Sequence, residues 1–179
     1  RPFIAPIYAW SSAVGARGKA RLPWSMSFLF ELIARTLDGP RRTLEVLPVA
    51  ANLGEAFRAD AKAEGMTVVV GGWESLGGVR PEMARWFSLE LTTKTAPWAF
   101  SRGEPFRTIA ALELYATLLS ILLFSGAWPS NADGVIKLTG ATDNSGTPFA
   151  LSRMMTSKFP MVVILAELAE QMRKKRLNL

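Results

Sequence analysis

Residues 57–71 read FRADAKAEGMTVVVG, and this stretch decides the fold. The runs 57–61 (FRADA) and 66–71 (MTVVVG) are β-like and flank a turn at Glu64-Gly65, the pattern of a hairpin. Outward from it, 85–91 (RWFSLEL) alternates as a third strand, so three consecutive antiparallel strands are expected. Residues 92–105 read as a loop, followed by a long apolar helix over 106–124. A turn at 128–134 then leads to a fourth strand at 135–139 (VIKLT), which ends in the polar run 140–146. The final helical stretch, 148–175, contains Pro160, which would interrupt a continuous helix. The order βββαβα, with helices long enough to cover a sheet, argues for an α/β architecture with a mixed sheet.

The first 55 residues differ in character and form the first of two expected regions, 1–55 and 56–179. Phe28, Leu29, Leu32, Ile33 and Leu37 lie near helical spacing in 25–37, with Ser25 or Ser27 as a cap and Gly39-Pro40 as a stop. Before that helix, Arg17, Lys19, Arg21 and Pro23 read as a basic connector; after it, 45–50 is a short strand or a lead-in. The chain starts at Arg1 and ends in RKKRLNL, and is expected to be a piece of a longer polyprotein.

Composition narrows the chemistry. The chain has 179 residues, 49% of them hydrophobic, enough for one sizeable core. Its net charge of +6 favours polyanions or anionic membranes as partners over basic proteins. It has no His and no Cys, which excludes imidazole bases, thiol nucleophiles, zinc and iron–sulfur ligand sets and disulfides. Carboxylates, amines, hydroxyls and an oxygen-preferring metal remain. The missing cysteines fit a reducing, intracellular compartment, cytoplasmic or nuclear. No signal peptide is visible. The apolar run 109–124 is 16 residues long with Glu113 inside it, short of the roughly 20 that a membrane span needs, so it reads as a buried helix and no membrane partner is expected.

Three carboxylates stand in unexpected places. Asp60, one of only four aspartates, falls mid-strand, where Asp is disfavoured. Glu113 lies between Leu112 and Leu114 in a helix apolar nearly all round, with Ile109, Ala110, Ala116 and Thr117 as its helical neighbours and so no local basic partner. Asp143 follows the fourth strand, at the edge of an α/β sheet where binding crevices form. Each has a plain alternative: Asp60 as a solvent-facing strand residue, Asp143 as a turn former beside Asn144 and Gly146, Glu113 as outward-facing or paired.

Taken in order, these residues resemble the ribonuclease H domain of retroelement reverse transcriptases, closest to the DIRS-like kind. The resemblance spans 57–179 and rests on Ala59-Asp60-Ala61, Gly71-Gly72-Trp73, Arg85-Trp86-Phe87-Ser88, Leu112-Glu113-Leu114 and Thr142-Asp143-Asn144. It implies a ribonuclease H-like mixed sheet with the fourth strand parallel to the first. It implies hydrolysis of the RNA strand of RNA–DNA hybrids by two Mg²⁺ ions, with Mn²⁺ as substitute, held by Asp60, Glu113 and Asp143. Asn144, Arg153 and Lys158 would face the nucleic acid. The family's fourth carboxylate follows a fifth strand, whereas this chain stops at Leu179, so the last strand and helix are expected to be missing and activity to suffer. The alternative is a non-catalytic nucleic-acid-binding or structural module of the same fold. Among six tryptophans, Trp73, Trp86 and Trp98 flank the acidic half, for base stacking or for packing. The glycine pairs 71–72 and 77–78 lack the following Lys-Ser/Thr of a phosphate loop.

Overall fold

A computed structural model describes residues 3–15, 19–38, 47–77, 79–101, 103–129, 134–143, 151, 154–156 and 158–179. Its centre is a five-stranded mixed sheet in the order β3-β2-β1-β4-β5. The strands are β1 (Val49–Glu64), β2 (Thr67–Glu74), β3 (Trp86–Leu91), β4 (Val135–Ala141) and β5 (Leu177–Asn178). β1, β2 and β3 pair antiparallel, and β4 pairs parallel to β1, as expected. Helices α1 (Ile4–Val14), α2 (Trp24–Leu37), α3 (Pro97–Phe100), α4 (Ile109–Phe124) and α5 (Met161–Lys174) complete the described fold.

The hairpin forms where the sequence places it. Glu64 pairs with Thr67, leaving Gly65-Met66 as a two-residue loop with Gly65 at φ +56°, the conformation that hairpin turns ask of their first central residue. β1 is much longer than 57–61 and absorbs part of the expected lead-in at 45–50. It stays one strand because Gly54, at φ +64°, lets a bulge form, and the Asn52 side chain accepts the Gly54 N–H at 3.1 Å. The expected boundary between residues 55 and 56 therefore falls inside β1.

One face of the sheet packs on α4, which lies over β1 and β2. Phe57, Ala59, Ala61, Val68, Val70 and Leu138 meet Leu112, Leu114, Leu118 and Ile121 there, and α5 closes the layer with Leu165 and Leu168. Gly72 allows the close approach of helix and sheet: a Cβ there would stand 2.8 Å from the Arg58 carbonyl oxygen and 2.9 Å from Ser120 Oγ. The other face carries exposed Arg58, Asp60 and Lys62 of β1, Trp73 of β2, and Lys137 and Thr139 of β4. A smaller cluster joins Met26, Leu29 and Leu32 of α2 to Val162 and Ala166 of α5.

Several expectations need correction. The stretch before α2 is not only a connector, because α1 forms there; its Pro6 and weak polar patterning hid it. α2 begins at Trp24 after Pro23, and neither Ser25 nor Ser27 caps it. The loop at 92–105 contains α3. The interruption expected at Pro160 is present, with the last helix starting at Met161 just past it; of the stretch before Pro160, residues 148–150, 152, 153 and 157 lie outside the described residues. The fifth strand is not wholly missing, since Leu177–Asn178 pairs parallel with Ile136–Lys137. With its 3₁₀ extensions the central helical stretch runs Pro105–Ala127, which by length and composition alone could cross a membrane; 56% of its apolar window is buried within the fold.

Candidate metal centre

Register brings the two aspartates together. β4 runs parallel to β1 and ends its pairing at Arg58↔Ala141, so Asp143, two residues on, arrives at the level of Asp60. The side chain of Glu113 rises from α4 into the space beyond the end of β4. There its Oε1 accepts the Ala61 N–H at 3.1 Å, taking a backbone donor of β1 that β4 no longer reaches, and its Oε2 accepts the Thr142 hydroxyl at 2.8 Å. One oxygen from each of Asp60, Glu113 and Asp143 lies within 4.8 Å of the others. The three carboxylates expected to converge therefore do so, from a strand, a helix and a strand end.

The electrostatics call for a cation. Glu113 is only 2% exposed, while Asp60 and Asp143 are open to solvent. Burial, helped by the charges of Asp60 and Asp143 and opposed by the hydrogen bonds from Thr142 and Ala61, pushes the Glu113 carboxyl up to about 6. Among the described residues, none of the ion pairs involves any of the three acids. The donor set is carboxylate oxygen throughout, which suits hard divalent cations such as Mg²⁺, Mn²⁺ or Ca²⁺. The site can thus hold a metal ion, with Thr142 and Ala61 fixing one ligand from outside the coordination sphere.

An open pocket of about 360 Å³ adjoins the cluster, lined by Arg58, Ala59, Asp60, Trp73, Ala141, Thr142 and Asp143. Arg58 pairs with Glu55 at 2.7 Å on the exposed surface. Of the three residues expected to face nucleic acid, Asn144 and Arg153 lie outside the described residues. Lys158 is exposed and lines a different pocket, with Arg107 just before α4 and Ala110 in its first turn. Sequence reasoning missed Thr142 as a partner of Glu113 and Arg58 as a pocket wall, while Trp73, read as flanking the acidic half, does line the pocket. The alternation that put Phe57 and Ala59 in the core could have found Arg58, since it shares the face of Asp60.

A second buried carboxylate, Glu74, also escaped notice. Arg85 reaches it at 2.6 and 2.8 Å, Trp128 Nε1 donates to it at 3.0 Å, and the same guanidinium donates to the Phe124 carbonyl oxygen at 2.9 Å. The Arg85 guanidinium holds the Glu74 carboxyl below the usual range. This group ties the end of β2 to the C-terminus of α4, away from the three acids. No protein-family model matches the chain, and no curated protein matches it.

Proposed function

We propose that the chain is a metal-dependent nuclease domain of ribonuclease H type, hydrolysing the RNA strand of RNA–DNA hybrids within a retroelement reverse transcriptase polyprotein. The observation that carries this is the convergence of Asp60, Glu113 and Asp143 within 4.8 Å on β1, α4 and the end of β4. Their spacing accommodates a pair of divalent ions, which sit roughly 3.5–4 Å apart in two-metal sites. When bound, such ions supply an activated water and neutralise the leaving oxygen. Asp60, Glu113 and Asp143 are the residues that would hold them. Ala61 N–H and the Thr142 hydroxyl hold the Glu113 carboxylate in one orientation, so that it need not reorganise when a substrate arrives. Arg58 lines the same pocket and is placed to receive a phosphate.

A second reading is a nucleic-acid-binding module of the same fold without turnover. It is favoured by the fact that, among the described residues, no fourth carboxylate joins the cluster. Incubating a labelled RNA–DNA hybrid with the chain in Mg²⁺ or Mn²⁺, beside an Asp60→Asn variant, separates the two. Cleavage lost in the variant supports the nuclease. Binding without cleavage supports the module. A chain that neither binds Mn²⁺ in calorimetry nor binds the hybrid overturns both.

A further inference from the structure

The six tryptophans do not share one role. Trp128 is buried and donates to Glu74, Trp98 packs edge-on against Tyr115 at 5.8 Å, Trp24 stacks on Phe28 at 5.7 Å, and Trp10 leans on the cluster between α2 and α5. Trp24 is also exposed, at 67%, but it stacks on Phe28 and lines a separate pocket with Tyr115 and Val163, whereas Trp73 and Trp86 stand on the open face of the sheet. They face each other in register across β2 and β3, are 45% and 73% exposed, and stand in one row with Arg58, the β1 partner of Trp73. One step along the sheet, on the same face, Asp60 is opposite Gly71, and Gly71 is opposite Ser88. Glycine and serine leave that second row low. The result is a shallow floor running from Asp60 to the β3 edge, walled on one side by Arg58, Trp73 and Trp86. Trp73 itself lines the pocket that holds Asp60 and Asp143.

We propose that this row seats unpaired nucleotides next to the carboxylates, so that the preferred ligand is an RNA–DNA hybrid carrying a single-stranded extension. The proposal rests on the nucleic-acid reading of the acidic site. Indole faces stack on any base, and a base inside a duplex already has both faces occupied, so only an unpaired one can take them. Arg58 supplies the phosphate contact. Its pairing with Glu55 is solvent-exposed and therefore weak, so the guanidinium is able to turn to a phosphate. A protein partner is the competing occupant of exposed indoles, but the shared pocket with two carboxylates and the neighbouring arginine favour a phosphate-bearing strand.

The test uses the whole chain and fluorescence anisotropy in a chelating buffer, so that no cleavage intervenes. Two labelled hybrids are compared, one blunt and one with a single-stranded extension of about six nucleotides, within the usual span of such sites. The unsubstituted chain should bind the extended hybrid more tightly. A Trp73→Ala/Trp86→Ala double variant should lose roughly 5- to 150-fold in affinity for the extended hybrid, down to the level of the blunt one. A Trp73→Phe/Trp86→Phe variant, which keeps the ring faces, should recover most of the loss, and melting curves confirm that each variant is folded. Equal affinity of the unsubstituted chain for both hybrids overturns the proposal, as does an alanine variant that binds like the parent. An alanine variant that only changes sedimentation behaviour assigns the row to a protein contact and overturns it too. Failure of the acidic site is read separately, by Mn²⁺ calorimetry and cleavage with the unsubstituted chain.

Discussion

The side chain of Glu113 stands between Leu112 and Leu114, both fully buried, and is the most informative in the chain. A lone carboxylate at that position is costly, and the two hydrogen bonds from Ala61 and Thr142 offset only part of the cost. Glu113→Gln keeps the shape and an acceptor for Ala61 while removing the charge. It should stabilise the metal-free chain by on the order of 1 kcal/mol, since an uncompensated buried charge is gone, and abolish the stabilisation by Mn²⁺ that the proposed metal site predicts. Thermal melts with and without Mn²⁺ check both. Thr142→Val removes a hydroxyl that orients Glu113 but no ligand, and should weaken Mn²⁺ binding by about 10–100-fold in calorimetry. An equal loss from a substitution remote from the cluster would show that the effect is general unfolding. At this scale the sequence exposed Asp60 and Glu113 as out of place, because their types conflict with their neighbours, whereas Asp143 was marked only by its position past a strand end. The hydrogen bonds that hold Glu113 were invisible, since Ala61 contributes only backbone and Thr142 is an ordinary polar residue beside Asp143.

At the scale of elements, the hairpin, the third strand, the central helix and the fourth strand were legible, because alternation and apolar runs report one face of each element directly. What escaped is set by contacts across elements. β1 extends to Val49 only because β4 lies beside it, and Gly54 supplies the bulge that lets the long strand bend. Close packing of α4 on the sheet makes Gly72→Ala a sensitive probe. Its Cβ meets the Arg58 carbonyl, which cannot move without disturbing the strand, so about 1–3 kcal/mol should be lost in denaturant melts. The Glu74–Arg85 group joining β2 to the end of α4 gives a pH dependence. The Glu74 carboxyl titrates below its unfolded value, so the folded state binds this proton less tightly than the unfolded chain does. Its contribution is present above about pH 4.5, the ordinary value, and is lost as pH falls through the lower folded value. Arg85→Met should flatten this acid limb of the stability profile and destabilise the chain at neutral pH, leaving Glu74 buried beside Trp128 alone.

For the whole molecule, the parallel pairing of β4 with β1 decides what the site is. It carries Asp143 to Asp60, and it places the end of β4 where Glu113 can enter. That pairing uses residues on both sides of position 55, so a chain beginning at Ala56 loses the outer half of β1. Such a chain should fail to show a cooperative thermal transition, whereas one beginning at Leu47 keeps the whole strand and should retain Mn²⁺ binding. Circular dichroism melts and calorimetry on the two chains check this.

By itself the sequence determined the class of chemistry, since a chain without His or Cys has only oxygen ligands and amines to work with, and it determined the local elements, whose periodicities are written along the chain. It also marked Asp60 and Glu113 as residues out of keeping with their surroundings, and Asp143 as an acid at a strand end where crevices form. Only the tertiary structure decided that they meet, because the distance between a strand, a helix and a strand end depends on register and packing among segments far apart in the chain, as for Ala61 and Glu113. The same holds for the tryptophans: composition counts six, and only the sheet register leaves Trp73 and Trp86 side by side on the open face.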